Sequence, residues 1–179
     1  MEPWKAARLR DRVAPGVRVL LVGINPGVRS ATLGHHFAGY SNRFWKLLHE
    51  SGLVPEPIGF EDDVRLPEWG YGITNLIARP TPGIDTLRPE EYVTGARVLR
   101  RKVRRWRPEV VAFLGVTLFR VVFGVAPKVK VTLGPQLDRF EGARVFVLPN
   151  PSGRNANFSY QEMLEAFAAL NERRRARRR

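Results

Sequence analysis

Cysteine is absent from the 179 residues, which removes disulfides, thiol nucleophiles, iron–sulfur clusters and thiolate-held zinc together. Histidine is scarce, at three residues. His35 and His36 lack the spacing of metal ligands and have no obvious third ligand, so they read as polar loop residues and no metal or cofactor is expected. No apolar run approaches the roughly 18 residues of a membrane-spanning helix. The opening Met1-Glu2-Pro3-Trp4-Lys5 has neither the apolar stretch nor the cleavage site of an export signal. The expectation is a soluble, cytoplasmic monomer with no membrane contact. Acidic side chains are also few against basic ones, 17 to 30, giving a formal charge of +13.

Such a charge attracts polyanions, and it is not confined to one arm. Arg173, Arg174, Arg175, Arg177, Arg178 and Arg179 form a basic tail, yet the preceding body is also basic. Two readings stand at this point: attraction to a phosphate backbone by counterion release, or a compositional bias that makes a solvated face. With 44% apolar residues the chain can bury a core. Without repeats or a Ser/Gly-rich linker it divides into a lead-in at 1–14, one domain at 15–172 and the tail at 173–179.

The segment Val17-Arg18-Val19-Leu20-Leu21-Val22, broken at Gly23, is β-branched and apolar on both faces, as strands of a buried parallel sheet are. Residues 109–115 and 143–148 repeat the pattern, and 72–77 is a shorter candidate. Helical spacing lies between them. Ser41 or Asn42 caps a helix carrying Phe44, Trp45, Leu47 and Leu48, with Phe44 and Trp45 in the core. Residues 89–106 place Tyr92, Val93, Val98, Leu99, Val103 and Trp106 inward, and Arg97, Arg100, Arg101, Arg104 and Arg105 outward. A last helix, from Phe158 to about Asn171, carries Tyr160, Met163, Leu164, Phe167 and Leu170. Strand–helix alternation predicts an α/β fold: a three-layer α/β/α sandwich around a mostly parallel sheet of about four strands. In such folds ligands gather at the carboxyl ends of the strands.

Three loops at those ends carry polar residues in stiff frames. In Gly23-Ile24-Asn25-Pro26-Gly27 the glycines permit close backbone approach and Pro26 fixes the chain beside the Asn25 amide. That amide either holds a water and donates a hydrogen bond without net charge, or closes an Asx-type turn on its own backbone. The loop has neither the Gly-Lys-Ser/Thr of a P-loop nor a G-x-G-x-x-G pattern. Leu148-Pro149-Asn150-Pro151-Ser152-Gly153 is a second stiff loop, with Ser152 as a possible helix cap. In the third, Gly34 to Trp45, Phe37 lies among glycines, either packed in the core or offered as a stacking platform for a planar ligand.

Taken in order, G-I-N-P-G, G-H-H-F-x-G-x-x-N-R-F-W and N-P-S-G resemble the mismatch-specific uracil-DNA glycosylase and thymine-DNA glycosylase family. Supporting stretches are Gly72-Ile73-Thr74-Asn75-Leu76 and Arg79-Pro80-Thr81-Pro82-Gly83. The resemblance runs from about Val17 to Leu170. It implies a uracil-DNA glycosylase-like fold and a monofunctional hydrolase that removes uracil, or thymine and other damaged pyrimidines, opposite guanine in double-stranded DNA. It further implies that Asn25 positions the water, that Gly23, Ile24, Ser30, Phe37 and Asn75 meet the base, and that Asn150, Ser152, Gly153, Arg154 and Asn155 meet DNA. Arg154 or Asn155 would be the wedge that fills the vacated stack. Asn150 stands where faster uracil glycosylases carry a histidine, and no lysine in these motifs could attack the sugar, so Schiff-base lyase chemistry is not expected. The rival readings are a non-catalytic nucleic-acid-binding module on the same fold and a small-molecule hydrolase or nucleotide binder built on the first loop.

Overall fold

The computed structural model describes residues 1–176, without the side chains of 173–175. Arg177, Arg178 and Arg179 of the predicted tail lie outside the described residues.

A short helix α1 (Pro3–Ala6) precedes β1 (Val19–Gly23); α2 (Val28–Leu33) and α3 (Phe44–Glu50) follow, then a 3-10 stretch (Phe60–Trp69) leading into β2 (Tyr71–Asn75). Next come α4 (Pro89–Trp106), β3 (Val110–Leu114), α5 (Val116–Phe123), β4 (Gly134–Phe140), β5 (Ala143–Leu148) and α6 (Tyr160–Ala176). The strands form one sheet in the order β2-β1-β3-β5-β4. The four expected strands are all parallel to one another, in register Gly23↔Asn75, Val22↔Phe113 and Leu114↔Leu148.

The sheet has five strands rather than four. The extra one, β4, is antiparallel to β5 at the edge. Its exposed residues alternate poorly and it carries Pro135. Both are properties of an edge strand, which has only one neighbour to satisfy and shows little apolar pattern.

Burial on both faces explains why the inner strands are continuously apolar. Val19 and Leu21 of β1, Ala112 of β3 and Phe146 of β5 pack with α3 and α6, whereas Leu20, Val22, Val111, Phe113 and Val145 pack with α4 and α5. Successive side chains point to opposite faces, so each strand feeds two cores at once. The three layers follow.

Helix α4 has the predicted bounds, but Val93 is 62% exposed and does not face inward. The position that does is Gly95, where a Cβ would collide with the Leu76 carbonyl oxygen. Backbone proximity, invisible to apolar periodicity, selects that residue. The N-cap of α3 is Arg43 rather than Ser41 or Asn42, and its side chain makes no capping bond; Asn42, one residue earlier, accepts from the Phe44 N–H through Oδ1 at 3.0 Å. His36 is also not a surface loop residue, since only 1% of it is exposed. Burial pushes its imidazole pKa down, and the neutral ring's Nε2–H donates to the Arg10 carbonyl at 2.8 Å.

The chain leaves β1 toward the α3/α6 face and leaves β3 toward the α4/α5 face. Neighbouring parallel strands whose connections diverge open a crevice at their carboxyl ends. β5 sends its own loop to the same edge before α6 packs back beside α3.

Candidate functional site

The crevice is a cleft of about 840 Å³, within the range of small-ligand sites. All eleven residues singled out above line it. Gly23, Ile24, Asn25 and Ser30 come from the end of β1 and from α2, Phe37 from the loop before α3, and Asn75 from the end of β2. Asn150, Ser152, Gly153, Arg154 and Asn155 come from the loop after β5.

Asn25 does not close a turn on itself. Its Nδ2 donates to Thr81 Oγ1 at 2.8 Å, to the Arg79 carbonyl at 3.0 Å and to the Pro26 carbonyl at 3.3 Å. Two of these partners can only accept. The third is forced to, because the Thr81 hydroxyl proton is used on the Gly83 carbonyl at 2.8 Å. The amide nitrogen therefore must face them, and the orientation of the carboxamide is fixed by chemistry. Its Oδ1 takes no hydrogen bond among the described residues.

The loop's own carbonyls are likewise turned into the protein. Gly23 O accepts from Leu76 N at 2.8 Å, Ile24 O from Ile77 N at 2.8 Å, Pro26 O from Thr81 N at 3.1 Å and Gly27 O from Ala31 N at 3.0 Å. The N–H groups of Asn25 and Gly27 have no such partner among the described residues. The loop thus spends its acceptors internally and retains donors.

Thr81 and its support are what sequence reasoning passed over. Thr81 is buried between two prolines, and the adjacent Arg79 is clamped by Glu91 on the first turn of α4. Arg79 Nε donates to Glu91 Oε1 at 2.7 Å and Nη2 to Oε2 at 2.8 Å. This two-point ion pair lowers the Glu91 pKa to about 2, helped by the Arg88 N–H. The available signal was the Pro-Thr-Pro frame itself, which stiffens the chain on both sides of one hydroxyl.

Phe37 adopts a left-handed backbone, φ 52°, which is uncommon for a bulky side chain and marks a conformation held by its surroundings. The next N–H, of Ala38, donates to buried Ser30 Oγ at 3.0 Å, and the previous one, of His36, donates to Asp63 Oδ2 at 2.9 Å. Asp63, itself buried, also pairs with Arg12 Nε at 3.1 Å and faces His35 Nδ1 at 3.0 Å. Held so, the Phe37 ring rests on Phe44 with centroids 4.3 Å apart at 30°. Phe37 is therefore half packing and half cleft wall.

Gly23 leaves the space in which two cleft side chains sit. A Cβ would lie 2.6 Å from Asn75 Oδ1 and 3.4 Å from the tip of Phe37, so the missing side chain lets these two meet over the end of β1. The Asn75 carboxamide has no hydrogen-bond partner among the described residues.

The loop after β5 orders itself. Asn150 Oδ1 accepts from Ser152 N at 3.0 Å, Ser152 Oγ from Arg154 N at 3.3 Å, and Asn155 Nδ2 donates to the Asn150 carbonyl at 3.0 Å. Asn155 Oδ1 also accepts from Asn157 N at 3.0 Å. Its side chain is committed to the loop. Arg154 is exposed and reaches across the mouth to the Pro82 carbonyl at 3.4 Å. Any Cβ on Gly153 would overlap Ser41, and Arg43 N donates to the Pro151 carbonyl at 3.0 Å. This loop and the one after Phe37 thus form one rim.

Residues 11–172 match the family model of the Uracil DNA glycosylase superfamily. The chain belongs to that superfamily. A curated relative, the "G/U mismatch-specific uracil DNA glycosylase" of Schizosaccharomyces pombe, is 38% identical over 166 residues, covering 89% of the chain and 51% of the relative. The chain spans about half the length of that relative. A solution NMR structure from Methanosarcina acetivorans, provisionally named a uracil DNA glycosylase, covers 93% of the chain and 96% of its own length. Its TM-score is 0.63 at 16% identity, a likeness of fold. The superfamily match takes in all eleven of the cleft residues named above. Among the described residues no helix is long and apolar enough to cross a membrane, and no group of three His, Asp or Glu side chains could hold a metal ion.

Proposed function

We propose that this superfamily member is a monofunctional DNA glycosylase that hydrolyses the N-glycosidic bond of uracil mispaired with guanine, in base-excision repair. Thymine and other damaged pyrimidines in the same mispair are its secondary substrates. One observation carries the reading: the Asn25 carboxamide is held by three acceptors on its nitrogen, which leaves its oxygen as a fixed, uncharged acceptor in the cleft.

A target base inside a duplex has to leave the stack, and a mispair lowers that cost. The extruded base slides onto Phe37, with Asn75 and Ser30 at its edge. Asn25 Oδ1 accepts a hydrogen bond from a water and aims its oxygen at C1′ as the sugar gains oxocarbenium character. The new bond is C1′–O, the broken one is C1′–N, and the electron pair leaves with the base as an anion. The water's proton passes to solvent and the base is reprotonated there. Backbone N–H groups of the Asn25 loop stabilise the developing negative charge. An amide is a poor base, so turnover is slow beside an enzyme with a carboxylate in that place.

Arg154 is the wedge, because Asn155 is already engaged in the loop. The rim suits phosphate: Arg29 and Arg154 line the cleft against a single carboxylate, Asp85.

Incubation with duplexes carrying uracil opposite guanine, followed by hot alkali, tests the proposal by strand scission at the abasic product. Asn25→Ala should still bind the duplex and lose about 10²-fold or more in rate. Binding without scission on any pyrimidine lesion would reduce the protein to a nucleic-acid-binding module. Activity on free nucleosides would point to a small-molecule hydrolase.

A further inference from the structure

One element of the rim has no part in that chemistry. Tyr40 is 89% exposed, and no other aromatic stands among the exposed large side chains of the described residues. Such exposure rules out a packing role. Yet the ring is not left loose: the Arg29 guanidinium stacks on it with Cζ 3.8 Å from the centroid. Arg29 Nη1 donates to the phenol oxygen at 2.7 Å, and Nε donates to the Ala38 carbonyl at 2.7 Å. A guanidinium carries five N–H donors, so several remain free, and no carboxylate lies within ion-pair distance of Arg29 among the described residues.

The plate therefore has one face covered by a cation and the other open to solvent. Its place is telling. Arg29 is on α2, four residues after Asn25, while Ser41, next to Tyr40, is the residue against which Gly153 is packed. Tyr40 and Arg29 line the same cleft as the Asn150–Asn155 loop. A nucleic-acid strand offers the two groups that fit: a base whose π face stacks on an aromatic ring, and a phosphate that pairs with a guanidinium.

We propose that Tyr40 and Arg29 form a subsite for the nucleotide adjoining the extruded one on the same strand, its base stacked on the open face of Tyr40 and its phosphate on Arg29. The inference rests on the glycosylase reading of the cleft and adds to it a contact with an unpaired neighbour, which matters most in single-stranded DNA.

The test uses single-stranded oligonucleotides with one 2′-fluoroarabino-uridine, which resists cleavage. One is complete, one has a baseless tetrahydrofuran spacer 5′ of the uridine and one has the spacer 3′ of it. Affinities are read by fluorescence anisotropy with the full chain. One of the two spacers should weaken binding by wild type about tenfold, the loss of one stacked base. The same spacer should cost Tyr40→Ala less than twofold, and Tyr40→Phe should respond as wild type does. Spacers that cost wild type and Tyr40→Ala equally, or cost neither anything, overturn the subsite. Uracil release from ordinary substrates is followed alongside. Release without coupling to Tyr40 removes the subsite alone, and absence of release removes the glycosylase reading.

Discussion

Thr81→Val is the substitution that probes the site most directly. It exchanges a hydroxyl for a methyl of nearly the same volume at a position that is only 4% exposed, so it changes hydrogen bonding with little change in packing. Asn25 Nδ2 loses its shortest acceptor, at 2.8 Å, and keeps the Arg79 and Pro26 carbonyls at 3.0 and 3.3 Å. Gly83 O loses the nearer of its two hydroxyl donors and keeps Thr86 Oγ1 at 3.2 Å. Nδ2 has two N–H groups, so both still find an acceptor and the loss is that of one good hydrogen bond, about 0.5–1.5 kcal/mol. With two weaker acceptors still in place, the carboxamide stays in the cleft but rocks about its held edge. About 1.5 kcal/mol of transition-state stabilisation should go, or roughly tenfold in rate. Folding should lose about 1 kcal/mol, which for this length lowers the melting temperature by about 2–4 °C. The assay is single-turnover release of uracil from a G·U duplex under enzyme excess, with duplex affinity measured in parallel. Affinity should hold, Thr81→Ser should restore the rate, and Thr81→Val on an Asn25→Ala background should cost nothing more, since both act through one group. A Thr81→Val rate within twofold of wild type, or a full additional loss in the double variant, would refute the claim that Thr81 aims the carboxamide.

Phe37→Ala should weaken capture of the extruded base, raising KM more than it lowers the maximal rate. It should also destabilise the fold by about 1–3 kcal/mol, because the ring leaves Phe44; an unchanged KM together with a lowered melting point would confine Phe37 to packing. Glu91 titrates at about 2 in the folded chain, below its ordinary range, because Arg79 holds it. Its contribution to stability is thus complete above about pH 4.5 and disappears as pH falls toward 2. Acid-unfolding curves should lose that limb in Glu91→Gln, and an identical curve would show the pair contributes nothing. Removal of residues 173–179 should lower affinity for undamaged DNA chiefly at low salt and flatten the salt dependence; identical binding isotherms would show that the tail is inert.

The three inner strands were legible because each is buried on both faces and so appears as an unbroken apolar run. Helix α4 was legible because Pro89 starts it and its arginines mark the outer side. Beyond that, periodicity failed for definite reasons. β4 has one neighbour and little apolar demand. Gly95, not Val93, faces inward because it meets the backbone oxygen of Leu76, a contact made 19 residues away in the chain. His36 is buried by Asp63 and Arg10, from segments on either side of it.

The site shows the same division. Asn25, Phe37 and the Asn150–Asn155 loop were singled out by the family resemblance that three stiff loops carry when taken in order, whereas each loop by itself left an Asx turn, core packing or a helix cap equally open. Two of those loops end β1 and β5, parallel strands on either side of β3, and the third lies between α2 and α3, so their meeting at one end of the sheet followed from the strand–helix alternation. The direction in which Asn25 points is a different matter. It depends on which atoms of Thr81, Arg79 and Pro26 lie beside it, and on Glu91 holding Arg79 from another layer of the sandwich. Local sequence states which groups a residue carries, whereas the orientation of a hydrogen bond is set by partners that only folding brings within 3 Å.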